Sequence, residues 1–257
     1  MKIFIADRNI EGAEEAAKEL NKNGQVAWAV QVDVADWDSQ RKGFEAAVNK
    51  LGHIDYVFPV AGITETSWLP NRPNATVFEK PNLSVFEVNG TGALYTSALA
   101  IQQFRRQQPN KYGFRGKIVA VASATAFYYI STLPIYTASK HAVVGFARSF
   151  GKYLPEEKIT LNAICPNIVR TNISTGEFYQ NADARGLLIH VDSLVEAFES
   201  LLGASDVSGE AIEILPGNEG HRIKEIPEYT NEKVKESVEL TQNRSHRSRK
   251  FHEPVET

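Results

Sequence analysis

The chain has 257 residues, a length that fits one large α/β domain, and 42% hydrophobic content can fill a sizeable core. A net charge of −3 argues against nucleic acid as the main partner. The single cysteine, Cys165, excludes an intramolecular disulfide, and no apolar stretch reaches membrane-spanning length.

In chain order, Ile3 to Ala6 reads as a short strand and Glu11 to Leu20 as a helix with an alanine-rich stripe. Asn23-Gly24 ends that helix. Val26 to Val30 is the next strand, and Ser39 can cap a helix running to Leu51. Ile54 to Val60 is a further apolar strand. Thr64 to Pro81, rich in proline and asparagine, is an irregular loop. A long helix is expected from Ser84 to Gln108, then a strand over Lys117 to Val121, a helix over Tyr136 to Tyr153 and a strand over Ile159 to Ile164. His190 to Leu202 is helical and Ala211 to Leu215 is the last strand. Cys165 ends an apolar strand, where a packed thiol is expected rather than a reactive one.

Strands alternating with helices, and apolar on both faces, predict an α/β fold: a Rossmann-like three-layer sandwich with a mostly parallel sheet. Met1 to Asn9 reads as the second strand of a dinucleotide-binding unit, with no first strand or glycine-rich loop before it. Residues 1–219 form this domain. Residues 220–257 form a polar, charged extension containing Arg244-Ser245-His246-Arg247-Ser248-Arg249-Lys250, in which Val234 and Val238 offer one weak helical seam.

Tyr136 and Lys140 carry the chemistry. Four apart on a helix, they share a face. The ammonium can stabilise phenolate and lower the tyrosine pKa, so that Tyr136 exchanges a proton with an alcohol or carbonyl oxygen. Ser123, at the carboxyl end of a strand, faces the crevice where such sheets bind ligands and can hydrogen-bond the same oxygen. Asn89 lies inside a long helix, where asparagine is unfavourable; it can hold a local break and position a water relayed to Lys140.

In combination, Val88-Asn89-Gly90-Thr91-Gly92, Ser123 and Tyr136-Thr137-Ala138-Ser139-Lys140 resemble the classical short-chain dehydrogenase/reductase family. The resemblance runs over roughly Lys2 to Gly217 and is nearest to fungal members similar to 15-hydroxyprostaglandin dehydrogenase. It implies that Asn89, Ser123, Tyr136 and Lys140 are a catalytic tetrad, in a chain truncated at its N-terminus relative to the family. It also implies a homodimer or homotetramer and a role in specialised metabolism, while the lack of a signal-like or membrane-length apolar run makes a cytoplasmic location the default expectation.

Asp7, just after the first strand, can accept hydrogen bonds from an adenosine ribose diol and so favours NAD(H) over NADP(H); the adjacent Arg8 slightly weakens that preference. By resemblance, Asp33 and Val34 contact adenine, Ile168 and Thr171 touch the nicotinamide end, and Lys140 also binds the nicotinamide ribose. Three departures stand against cofactor binding: the glycine-rich loop is absent, the family's Asn-Ala-Gly turn appears as Val60-Ala61-Gly62, and Asn167 replaces a glycine. Ala61 and Gly62 still belong to the expected cofactor site. No spacing suggests a metal.

Three functions remain open. The first is an NAD-dependent oxidoreductase interconverting a secondary alcohol and a ketone on a small lipophilic substrate. The second is a cofactor-independent isomerase, dehydratase or cyclase with Tyr136 as acid or base. The third is a noncatalytic scaffold or inactive truncated relative. Trp68, Phe127, Tyr128, Tyr129, Ile130 and Phe178 would line a lipophilic pocket, although Tyr128 and Tyr129 cannot both point inward.

Overall fold

A computed structural model describes residues 1–217 and 219–248. Strands β1 (Ile3–Asp7) and β2 (Ala27–Gln31) form a parallel two-stranded sheet, with Ile3 opposite Ala27. Helix α1 (Ile10–Leu20) connects them, and the Asn9 side chain accepts the amide of Gly12 at 3.2 Å. A short 3-10 turn follows α1 before Gly24, whose φ of +131° reverses the chain.

Helix α2 (Trp37–Leu51) begins earlier than expected and is capped by Asp36, not Ser39. The Asp36 carboxylate takes the Ser39 amide, while the Ser39 hydroxyl accepts the amide of Asp33 at 3.0 Å. Both oxygens are thereby used at the turn leaving β2.

The remaining strands are β3 (Tyr56–Val57), β4 (Gly116–Val121), β5 (Ile159–Pro166), β6 (Ile168–Val169), β7 (Leu188–Ile189), β8 (Ala211–Ile214) and β9 (His221–Ile223). A five-stranded sheet has the order β3-β4-β5-β8-β9, parallel except for β9. Strand β3 is much shorter than the expected Ile54 to Val60. It pairs with β4 alone, and Pro59 has no amide to donate. Its alignment nonetheless persists, since Lys117 N donates to Asp55 O and Val121 N to Pro59 O, both at 2.9 Å.

The sheet is covered on both faces, as the apolar strands require. One face packs Ile118, Ala120, Leu161 and Ala163 against Ala47 of α2, against Ala100, Ile101 and Phe104 of α4 (Ala93–Arg105), and against Val143 and Ala147 of α5 (Pro134–Phe150). The other packs Val119, Ile164, Ile212 and Ile214 against Ala197 and Leu201, Ala197 lying in α7 (Val191–Glu199). The architecture is a Rossmann-like three-layer α/β sandwich. Cys165 is fully buried, and burial pushes its thiol up to about 12, so it is an inert packed group.

The long helix expected from Ser84 is broken. A single α turn, α3 (Ser84–Phe86), passes into a π-helical turn over Glu87–Gly92 before α4 begins. Asn89, Gly90 and Gly92 disfavour regular helix, and packing uses the break. A methyl group at Gly92 would stand 3.0 Å from both the Cγ2 atom and the carbonyl oxygen of Val34. Helix α6 (Gly176–Ala184) and the small parallel β6-β7 sheet were not anticipated.

His221 to Ile223, expected in the polar extension, instead form β9 against β8. The chain divides into a unit of Met1–Ile223 and a second unit of Lys224–Thr257. The second unit contains α8 (Glu232–Ser248), whose described side chains are exposed and which carries the Val234–Val238 seam, with the Asn231 side chain accepting the Val234 amide at 3.0 Å. Arg249 and Lys250 of the basic run lie outside the described residues. Among the described residues no helix is long and apolar enough to cross a membrane, and no group of His, Cys, Asp and Glu is arranged to hold a metal ion.

Candidate active site

The carboxyl end of β4, the first turns of α5 and the π turn carry the sequence-predicted tetrad. Ser123 follows β4 and caps a 3-10 turn, its Oγ accepting the Thr125 amide at 3.2 Å. The Tyr136 phenol, on the facing first turns of α5, lies close enough to Ser123 for the serine side chain to favour its ionised form. One turn further, Lys140 is 4% exposed and its Nζ donates to Val121 O at 3.1 Å. Nζ also stands 5.6 Å from the centre of the Tyr136 ring.

The electrostatics differ from the sequence expectation in one respect. Tyr136 is raised above its ordinary pKa chiefly by burial; Ser123 opposes the shift and nearby Tyr179 adds to it. The Lys140 ammonium instead donates to the Val121 carbonyl. Burial lowers Lys140 to about 8. The resting site therefore holds a neutral phenol beside a lysine that loses its proton easily.

Asn89, 1% exposed in the π turn, is fully engaged by protein. Its Oδ1 accepts the Ile63 amide at 2.8 Å, and its Nδ2 donates to Ile63 O at 2.9 Å and to Ser139 Oγ at 3.3 Å. The direct role is thus to pin the loop after β3 to the catalytic helix. Gly62 lies in this clasp: a methyl group there would stand 3.4 Å from Asn89 Oδ1 and 3.6 Å from Lys140 Nζ. The neighbouring Ala61 and Val60 are exposed.

On the expected adenosine side, Asp7 is exposed at the end of β1, and its Oδ1 accepts the Asn9 amide at 2.8 Å. Asp33 is half-buried after β2 with Oδ1 on the Ala35 amide at 2.9 Å. Val34 rests on Gly92, so the six-residue π turn touches both ends of the expected site: Asn89 at the catalytic end and Gly92 at the adenosine end. Ile168 is half-buried in β6. Thr171 is exposed, and its hydroxyl pairs with the Tyr179 hydroxyl at 3.2 Å. Asn167 does not need the positive φ a glycine would supply; its Nδ2 donates to Ile214 O at 2.9 Å instead.

Of the expected pocket residues, Tyr128 and Tyr129 both lie largely outside. The Tyr128 hydroxyl reaches Glu213 at 3.3 Å, and Tyr129 stacks on His141. Trp68 and Phe127 are half-buried, while Ile130 and Phe178 are partly exposed. Two site residues escaped sequence reasoning. Tyr179 comes from the unanticipated α6, and Glu65 sits in a loop with no periodicity to signal its direction.

The chemistry of this donor set suits a polyhydroxylated dinucleotide at its two ends. Tyr136 and Lys140 can meet a ribose at the catalytic end, and Asp7 can accept from a ribose diol at the other. Among the described residues, no strand is paired between β1 and β3, and no glycine-rich turn offers amides to a pyrophosphate there.

The family model described as short chain dehydrogenase matches residues 1–182. The chain is 29% identical over 216 residues to short-chain dehydrogenase/reductase prx7 of Penicillium rubens, covering 82% of this chain and 74% of that protein. It is 31% identical over 175 residues to the 3-oxoacyl-[acyl-carrier-protein] reductase of Bos taurus, covering 67% of each. A solved 3-ketoacyl-(acyl-carrier-protein) reductase from Brucella melitensis, complexed with NADH, superimposes with a TM-score of 0.68 at 27% identity, over 83% of this chain and 86% of that one. The chain belongs to the short-chain dehydrogenase/reductase family and is an oxidoreductase of that family by kinship.

Proposed function

We propose that this protein interconverts a secondary alcohol and a ketone on a small lipophilic substrate, with NAD(H) as its cofactor. The observation that carries the reading is the convergence of Ser123, Tyr136 and Lys140 at the carboxyl edge of the parallel sheet, braced by Asn89. When bound, NAD(H) supplies or accepts the hydride. In the reducing direction, Tyr136 donates its proton to the carbonyl oxygen, and the neutral phenol favoured by burial is the state this requires. Ser123 donates a hydrogen bond to the same oxygen and steadies its developing charge. The Lys140 ammonium stabilises the phenolate left on Tyr136. Asp7 would hold the adenosine ribose diol, and its negative charge disfavours a 2′-phosphate, which is the ground for NAD(H) over NADP(H). The Brucella relative's NADH complex supports the same cofactor. The lipophilic substrate is read from apolar Trp68, Ile130 and Phe178, which lie in the segments carrying Glu65, following Ser123 and carrying Tyr179, respectively.

The test uses purified protein with NADH deuterated at C4 and a panel of ketones: diacetyl, cyclohexanone and acetophenone. Deuterium should appear on the carbinol carbon, with a lower rate from NADPH. Tyr136→Phe should lose about 10²–10⁴-fold in kcat while folding normally. Tyr136-dependent proton exchange on a substrate, with no deuterium transferred, would replace this reading with cofactor-independent acid–base chemistry. No turnover of any ketone with either nucleotide would overturn it.

A further inference from the structure

The first turn of the catalytic helix is completed by a residue far away in sequence. Every helix begins with amides that lack an intrahelical acceptor. Helix α5 has no side-chain cap of its own, since Leu133 occupies the capping position. Pro134 has no amide to satisfy, and the Thr137 amide already donates to Leu133 O at 2.9 Å. Two donors remain, the amides of Ile135 and Tyr136. Both are taken by one oxygen, Oε2 of Glu65, at 2.8 and 2.9 Å. Glu65 is 9% exposed, so this carboxylate is a buried part of the site. Its negative charge also lies against the positive end of the α5 dipole.

We propose that Glu65 is a positioning residue for Tyr136, clamping the first turn of α5 so that the phenol stands where Ser123 and the substrate oxygen can reach it. The inference rests on Tyr136 as the proton donor, as argued above. What makes the clamp specific is the loop that carries it. Ile63 is held on both its amide and its carbonyl by Asn89, and Gly62 passes beside Lys140 Nζ. Ser139 Oγ donates to Tyr136 O at 2.7 Å and receives the Asn89 side-chain amide. The contacts close a ring: Asn89 to Ile63, Glu65 to Tyr136, and Tyr136 through Ser139 back to Asn89. The loop therefore couples the π turn to the catalytic tyrosine. Releasing Glu65 leaves two amides unpaired and lets the turn carrying Tyr136 shift. A misplacement on the order of 1 Å at a reacting group can lower a rate by about 10²-fold.

The experiment compares wild type with Glu65→Ala, Glu65→Asp and Glu65→Gln by two readouts. The first is amide hydrogen exchange at Ile135 and Tyr136, read without any cofactor against the mid-helix amide of Val143. The second is the split of kcat and KM for whichever panel ketone the wild type reduces. Glu65→Ala should speed exchange at Ile135 and Tyr136 by about tenfold or more, leave Val143 unchanged, and lower kcat by about 10- to 100-fold with KM within about threefold. Glu65→Asp keeps the charge but falls one carbon short, so it should behave like Glu65→Ala. Glu65→Gln keeps an acceptor of the right reach and should recover most of the lost kcat and protection. Should Glu65→Ala fail to fold, the Asp and Gln pair decides the question alone. Unchanged exchange at both amides in Glu65→Asp, or a kcat loss in Glu65→Gln as large as in Glu65→Ala, would overturn the inference. If the wild type reduces no ketone while the exchange pattern is as described, the functional reading fails and the clamp on Tyr136 stands.

Discussion

The ammonium of Lys140 faces the carbonyl of Val121 at 3.1 Å and lies 5.6 Å from the centre of the Tyr136 ring. In the resting protein burial keeps the phenol neutral. The pair is arranged for proton donation first and charge stabilisation second: the lysine becomes important once Tyr136 has given up its proton. The phenol begins as an acid and the ammonium waits beside the anion it will leave.

This arrangement makes carbonyl reduction sensitive to pH. Lys140 is lowered to about 8 by burial, so the folded protein loses its ammonium as pH rises through that value. Reduction should be fast below about pH 8 and fall above it, because the phenolate then forms without its counter-charge. A kcat-against-pH profile with NADH and a reducible ketone measures this, and a profile flat from pH 7 to 10 contradicts it. Lys140→Met should be slow throughout and lack the transition.

Lys117 makes a separate prediction about stability. It is 1% exposed in β4, donates to the Ser205 carbonyl and lies over the Phe114 ring. Burial lowers it from 10.5 to about 8, against a smaller opposing pull from Asp206. Between those values the unfolded chain holds this proton and the folded chain has released it. The unfolded state thus binds more protons, and this lysine's contribution makes the protein more stable as pH rises across that window. Urea unfolding at pH 8 and pH 10 should show a smaller gain, or a larger loss, for Lys117→Met than for wild type. An identical pH dependence in both proteins would remove Lys117 as the source.

Asn89 should matter to folding as well as catalysis. Asn89→Ala removes the partner of both the amide and the carbonyl of Ile63, two part-buried hydrogen bonds. The expected loss is about 1–3 kcal/mol of unfolding free energy, measured by chemical denaturation. Loop 58–83 should also become more accessible to protease, since Asn89 no longer anchors it. A stable variant with an unchanged cleavage pattern would mean the clasp does not organise that loop.

Much of the fold was legible because its signals are local. Ile118 to Val121 and Ile159 to Ile164 are continuous apolar runs, and a strand covered on both faces requires just that. Tyr136 and Lys140 were legible because four residues on a helix always share a face. The break at Asn89 was foreshadowed by residues that disfavour helix, though not its π-helical form. Less visible were the short β3, where pairing on one side alone limits the regular ladder, and the extent of α8, of which Val234 and Val238 marked only a weak seam.

By itself, then, the sequence determined the alternation of strands and helices, and the residue types able to move a proton. Tertiary structure decided what those residues do to one another. It turned Lys140 toward Val121, gave Asn89 to Ile63, and brought Glu65 across seventy residues onto the Tyr136 amide. These pairings depend on burial and on loop paths set by long-range packing, and neither has a period that a linear pattern could carry.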